Sequence, residues 1–322
     1  MRKAFKFFFN SMLILAGLFW LSSCSMFNEP PYQSDTMTSV IIKDSHINEA
    51  SGLTRSRRDN NVLWVNNDSG NAAEIYAINP QGERLATVTI PDIDLEWLDW
   101  EDMASFEMDG KAYLMIADVG DNFESHWQYH LYFIEEPDLS QYQKGEKFEL
   151  KPEWVMRFMY EDGPRDCEAV AVDEKHGKIL LLTKRNDPPV LYRLPLKKIR
   201  ATKAKRMGEV KPMPMPKERH YRIVDFLDYT KMPTAMDIAP DGSGIVVLTY
   251  GNAFYFPTNG VEDDWLSVLN STPKTIELPP LKQAEAIGFD HSGQHVFVTG
   301  ERRPTPLLNI NISSLIDTAS DE

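Results

Sequence analysis

Five short segments of this chain repeat one pattern, and that repetition restricts the fold more than any other feature. Glu49-Ala-Ser-Gly-Leu, Glu101-Asp-Met-Ala-Ser, Glu168-Ala-Val-Ala-Val, Met236-Asp-Ile-Ala-Pro and Glu285-Ala-Ile-Gly-Phe open with an acid, or once with Met, and carry small residues at the fourth place and usually the second. Each is followed by a turn: Arg58-Asp-Asn, Asp109-Gly, His176-Gly, Asp241-Gly and Ser292-Gly. Asp-Gly and its relatives suit the positive-φ positions of tight hairpins. After each turn comes a β-rich run, at 62–65, 112–116, 179–182, 245–248 and 295–298. Third runs follow at 74–78, 130–134 and 190–194, and fourth runs at 85–90, 154–160, 221–226 and 274–278.

Four antiparallel strands per unit, recurring at intervals of 52, 67, 68 and 49 residues, predict an all-β chain folded as a β-propeller with long loops. Five blades are expected, with six the alternative should one be degenerate. The last unit lacks a clear fourth strand, so the run at 39–43 is expected to supply it and close the ring. A sandwich of hairpins is the rival architecture, but it does not require near-identical units.

The first residues read as an address. Arg2, Lys3 and Lys6 precede an apolar run over 7–20, too short to span a bilayer comfortably. Leu21-Ser-Ser-Cys24 follows and resembles the bacterial lipobox, which implies lipidation (palmitate among the acyl groups) on Cys24. Ser25, rather than Asp, fits sorting to the outer membrane of a Gram-negative envelope. The expected organisation is a lipoprotein signal peptide over 1–23, a tether over 24–38 and a single propeller domain over 39–322. Only one other cysteine, Cys167, is present, so no disulfide framework is expected.

Lys and Arg number 34 against 48 Asp and Glu, a net charge of −14 that disfavours nucleic acid and suits cations. In an antiparallel pair the start of one strand lies beside the end of the next. The repeated acids are therefore expected on one rim with Asn66-Asn67-Asp68, Asp118-Val-Gly-Asp121-Asn122, Lys184-Arg185, Tyr250-Gly-Asn252 and Gly300-Glu301-Arg302. Alternation places Glu168, Val170 and Val172 on one side of their strand and Ala169 and Ala171 on the other. Carboxylates gathered at a narrow mouth repel one another unless a cation or basic side chain intervenes. Calcium suits such oxygens, and Asp118, Asp121 and Asn122 are the expected metal ligands.

Glu49-Ala-Ser-Gly-Leu, Leu63-Trp-Val-Asn-Asn-Asp-Ser-Gly70, Asp99-Trp-Glu-Asp-Met-Ala104, Ala117-Asp-Val-Gly-Asp-Asn122 and Asp166-Cys-Glu-Ala-Val-Ala171 resemble bacterial propellers of the phytase-esterase-like and SdiA-regulated type. The resemblance implies the propeller fold over nearly the whole mature chain and calcium-dependent hydrolysis of phosphoesters or esters. Met236 departs from the pattern.

The expected ligand-binding set is Glu49, Asn67, Glu101, Glu168, Lys184, Arg185, Tyr250, Glu285 and Arg302. For catalysis, Glu101 or Glu168 would serve as base and Lys184 or Arg185 would hold an anion. The acids have a purely structural alternative, accepting backbone N–H bonds from the neighbouring blade. Lys184 and Arg185 have compensation of the acidic charge as their alternative, and Arg302, beside Glu301, has the same two readings. Cys167 sits between two acids, which disfavours a thiolate. His126 and His130 are left as acid–base candidates on the same face, and the Trp residues are assigned to the core. The basic stretch from Lys197 to Arg206 reads as a solvated insertion, or as a contact for anionic lipid. No nucleophile elbow appears. Binding of an anionic small molecule or an envelope protein is therefore preferred, with hydrolysis of phosphoesters, esters or glycosides as the alternative.

Overall fold

The computed structural model describes residues 32–93, 98–215, 229–261, 263–301 and 303–317, all within one unit, Tyr32–Glu322. The signal segment, Cys24, Arg302 and the run expected at 221–226 lie outside the described residues.

Each repeated motif opens a meander of antiparallel strands. The first comprises β2 (Ala50–Arg55), β3 (Leu63–Asn67), β4 (Glu74–Ile78) and β5 (Arg84–Thr89). The second has β6 (Trp100–Met108), β7 (Lys111–Asp118), β8 (Tyr129–Glu135) and β10 (Trp154–Tyr160), with β9 (Glu146–Glu149) in its long connection. The third comprises β11 (Cys167–Asp173), β12 (Lys178–Thr183), β13 (Val190–Pro195) and β14 (Ala201–Glu209). The fourth is β15 (Pro233–Ile238), β16 (Gly244–Thr249), β17 (Ala253–Pro257) and β18 (Lys274–Ile276). The last has β19 (Ala284–Phe289), β20 (His295–Gly300) and β21 (Pro306–Asn311), and β1 (Met37–Ile41) pairs antiparallel with β21. The N-terminal strand thus completes the last sheet, starting two residues before the expected position.

The first strands form a closed ring: β2 meets β6, β6 meets β11, β11 meets β15, β15 meets β19, and β19 returns to β2. Apolar cores fill the spaces between successive meanders. Trp64 and Ile75 pack against Trp100 and Ile116, Phe106 and Phe133 against Val170 and Tyr192, and Leu180 and Leu191 against Val247 and Phe256. Tyr255 then meets Phe289, and Ile287 and Val298 share that core, while Ala286 and Phe297 close on Leu53 and Tyr76. Two short helices, α1 (Trp265–Leu269) and α2 (Ser313–Asp317), cover parts of these cores. This is a propeller-type arrangement, and it follows from meanders that are each apolar on both faces and need a neighbour on either side.

Two expectations about the sheets are corrected. They are not purely antiparallel: β9 adds a fifth strand parallel to β5, and β10 pairs in parallel with β14 to merge the second and third meanders into one eight-stranded sheet. From Ala201 onward the basic stretch is strand β14 rather than an insertion. Its alternation lets Ala204 enter the core while Lys203 and Lys205 face solvent.

The ring strands share a feature that alternation alone does not predict. Each has a bulge near its start, between Ala50 and Gly52, Trp100 and Asp102, Cys167 and Ala169, Pro233 and Ala235, and Ala284 and Ala286. A bulge leaves one residue unpaired and re-aims its side chain. The equivalent residues are therefore Ser51, Glu101, Glu168, Thr234 and Glu285. Glu49 and Met236 each lie two positions from the equivalent place, so the expected ring of four Glu contains three, with Ser51 and Thr234 completing it.

Beyond the bulge, small residues let each ring strand abut the next. A Cβ on Gly52 would lie 2.7 Å from the Met103 nitrogen of β6. Two aspartates occupy this side instead of small residues, and both tie strands together. Asp102 Oδ2 accepts the N–H of Val170 at 3.0 Å and of Met236 at 3.3 Å, while Oδ1 accepts its neighbour Met103 N–H at 2.8 Å. Asp237 Oδ2 accepts Phe289 N–H at 2.9 Å and lies 3.2 Å from Arg55 Nη1. The strand-tying role considered for the glutamates belongs to these aspartates.

Candidate functional site

The bulges deliver three carboxylates to one mouth; Asp68, just past the end of β3, and Asp99, just before the start of β6, add two more. Asp68, Asp99 and Glu101 each offer a carboxylate oxygen, and these oxygens all lie within 4.8 Å of one another, close enough to share a metal ion. Ser51 donates to Glu101 Oε2 at 3.1 Å, and the Ser69 N–H donates to Asp68. Gly120 forms the wall behind them: a Cβ there would sit 2.4 Å from both Asp99 Oδ2 and Glu101 Oε1. Only glycine leaves room for both carboxylates at this point.

The electrostatics match a site short of positive charge. Burial pushes the Asp99 carboxyl up to about 7, with repulsion from Asp68, Asp166 and Asp118 adding to it. Burial, then Glu285 and Asp68, raise Glu301 to about 8. Asp68, Glu101 and Glu285 also shift upward, with burial the leading cause in each. Each of these carboxyls holds its proton more tightly than a free one does, and a nearby cation would work in the opposite direction.

The opposite wall is cationic but already engaged. Lys184 contacts Glu168, donates to Tyr250 Oη at 2.8 Å and lies 4.9 Å from that ring's centre. Burial lowers its pKa, but attraction to Glu168 and Glu285 outweighs this and holds it well above the usual lysine value. Arg185 Nε lies 2.6 Å from Asp166 Oδ2, and its Nη2 donates to Asn122 Oδ1. The charge-compensating role expected for both cations is what their contacts provide.

Other expected site residues are placed differently. Glu49 accepts from Asn71 Nδ2 at 2.6 Å and its backbone forms an antiparallel β-bridge with that of Glu301, while Asn67 donates to the His46 carbonyl at 2.6 Å. Asp121 spends both carboxylate oxygens on its own loop, accepting Ser125 N–H at 2.8 Å, His126 N–H at 2.7 Å and Tyr129 Oη–H at 2.8 Å. Asp118 accepts the Asp99 N–H at 2.9 Å, and its other oxygen faces Tyr132 and His130. Asp118, Asp121 and Asn122 therefore brace the site, and the oxygens that converge belong to Asp68, Asp99 and Glu101. The signal for Asp68 and Asp99 was present at the strand ends. Their convergence depends on the bulge that turns Glu101 toward them. Cys167 is fully buried, with its thiol pushed up to about 12 by that burial. Trp64 and Trp100 belong to the core as expected, but Trp127 is exposed.

No family model matches the chain, and no curated protein matches it. Among solved structures it is similar to the Pan2 WD40 domain of Neurospora crassa (8% identity, TM-score 0.34, 84% of this chain and 65% of that one). Raptor of Chaetomium thermophilum (12%, 0.38, 80% and 19%) and hydrazine synthase of Kuenenia stuttgartiensis (10%, 0.37, 85% and 67%) are also similar. The chain thus spans less than two thirds of the first two. The fold assignment rests on the strand order and the closed ring.

Proposed function

We propose that this protein is a lipid-anchored envelope propeller of five blades whose acidic mouth binds a divalent cation, calcium foremost, and through it a ligand or partner. The convergence of Asp68, Asp99 and Glu101 in front of Gly120 carries the cation reading. Calcium takes six to eight oxygens and tolerates irregular geometry, which suits three carboxylates with ligand or water completing the shell. Binding is favoured over hydrolysis because the nearby cations, Lys184 and Arg185, are already held by Glu168, Tyr250, Asp166 and Asn122. The blade count follows the five bulged ring strands. The resemblance to phytase-esterase-like and SdiA-regulated propellers belongs to the same proposal.

At pH 8, saturating calcium is expected to raise the melting temperature by roughly 5–10 °C, the size given by ligand linkage at about 100 Kd. Asp99→Asn and Gly120→Ala are each expected to remove most of that rise. The rise is expected to vanish near pH 5, because protons then hold the Asp99 and Glu301 carboxyls that are pushed up to about 7 and 8. Calorimetric melts with and without calcium check this, and an unchanged calcium response in both variants refutes the site. For the anchor, Cys24→Ser is expected to abolish incorporation of labelled palmitate into the protein. Labelling that persists in the variant removes the lipid at Cys24 from the proposal.

A further inference from the structure

The surface beside the mouth combines exposed aromatic groups with unpaired cations. Among the described residues, five large apolar side chains are strongly exposed; Trp127 at 73% and Met159 at 41% line one depression here, and Phe123, at 91%, lies four residues before Trp127 in the same loop. Phe123 and Trp127 belong to the loop that Asp121 pins through Ser125, His126 and Tyr129. The fold uses a buried carboxylate to hold this loop in shape, and the loop presents aromatic rings to solvent.

The adjoining sheet supplies positive charge. In the parallel β10–β14 pair, Met159 lies opposite Lys203, and Arg157 shares their face two residues away, opposite Ala201. Lys205 follows on that face, paired with Arg193 of β13. His126, Trp127, Met159 and Lys203 line one continuous depression, so the aromatic loop and the basic strands form a single surface. Arg157, Lys203 and Lys205 make no ion pair among the described residues, although the chain carries a net charge of −14 and most surface cations have acidic partners. Glu161, the acid in this depression, accepts the backbone N–H of Arg206.

We propose that this surface docks onto an anionic phospholipid leaflet, with Phe123 and Trp127 entering the headgroup region and Arg157, Lys203 and Lys205 facing lipid phosphates. Aromatic rings favour the membrane interface, and each basic residue near an anionic surface contributes about 1 kcal/mol. Charge complementarity selects the occupant, because an apolar protein partner would not call for three unpaired cations around the rings. The inference does not depend on the cation site. A lipid at Cys24 would only bring the surface to the bilayer.

The test uses the chain from Ser25, which has no lipid and keeps every described strand, including β1 that closes the last sheet. Co-sedimentation is measured with vesicles of phosphatidylcholine alone and with 30% phosphatidylglycerol (an arbitrary working composition, roughly matching an anionic leaflet), both in chelator. Binding is expected only to the anionic vesicles, falling at least about tenfold between 50 and 300 mM salt as screening grows. Lys203→Glu/Lys205→Glu and Phe123→Ser/Trp127→Ser are each expected to weaken it about tenfold or more, with melting temperatures unchanged. Equal binding to both vesicle types, no binding to either, or binding that survives both double variants overturns the proposal. Capture of a soluble protein by this face in the absence of vesicle binding overturns it in favour of a protein partner.

Discussion

Asp102→Ala is expected to destabilise the domain by about 3–5 kcal/mol, because it strips the acceptor from three N–H donors in the middle of the ring. Asp102 is fully buried, and burial pushes its pKa well above the usual carboxylate range against the pull of the Val170, Met103 and Met236 N–H groups. The carboxylate therefore occupies an unfavourable place, retained because it ties β6 to both β11 and β15. Removing it leaves those donors without a partner where water is excluded. Asp102→Asn, which keeps one acceptor oxygen, is expected to lose roughly half as much. Urea unfolding of the two variants checks this. A loss for Asp102→Ala within the range of a surface substitution, about 0.5 kcal/mol, would mean that apolar packing alone holds the ring.

Lys184→Met is expected to cost a similar amount, about 3–5 kcal/mol at pH 8, and clearly less at pH 5. The ammonium is buried at the centre of Glu168, Glu285 and Glu101, and without it the acids have no compensating charge. The pH dependence follows from the direction of their shifts. The folded-state pKa values of Glu101 and Glu285 are raised, so the folded state binds protons more tightly than the unfolded one. Stability from that source is fully present below the unfolded value and is lost as pH rises through the folded value. Removing the lysine pushes these groups further up, so the variant loses more on the alkaline side. Urea midpoints at both pH values measure it. A cost that is equal at pH 5 and pH 8 would show that Lys184 acts through its packed alkyl chain and not its charge. Calcium is expected to restore part of the variant's stability at pH 8, which links this result to the proposed site.

The sequence alone determined a good deal of this molecule. Period-two runs with Asp-Gly and related turns specify hairpins, and Asp109 and Gly110 do adopt the positive φ that such a turn demands. Near-identical hairpins that are apolar on both faces must stack on one another, and the run at the N-terminus had to fill the vacant edge of the last unit. The strand ends on one rim, including Asp68, Lys184 and Tyr250, follow from the same pairing rule.

Only the tertiary structure decided which acids meet. A bulge is a matter of backbone hydrogen bonding, so no side chain marks the extra residue. A motif aligned on its acids therefore placed Glu49 and Met236 where Ser51 and Thr234 belong. The one-residue slip that a bulge introduces also reverses which side of the strand faces the next ring member. That is why Asp102 and Asp237 tie the ring while Glu101, Glu168 and Glu285 are turned toward the mouth. The parallel contact of β10 with β14, which exposes Arg157, Met159, Lys203 and Lys205 on one face, joins segments more than forty residues apart. Local patterning carries no information about such a pairing. In the folded protein two outer edges, each with backbone groups unpaired within its own meander, lie within hydrogen-bonding reach of one another.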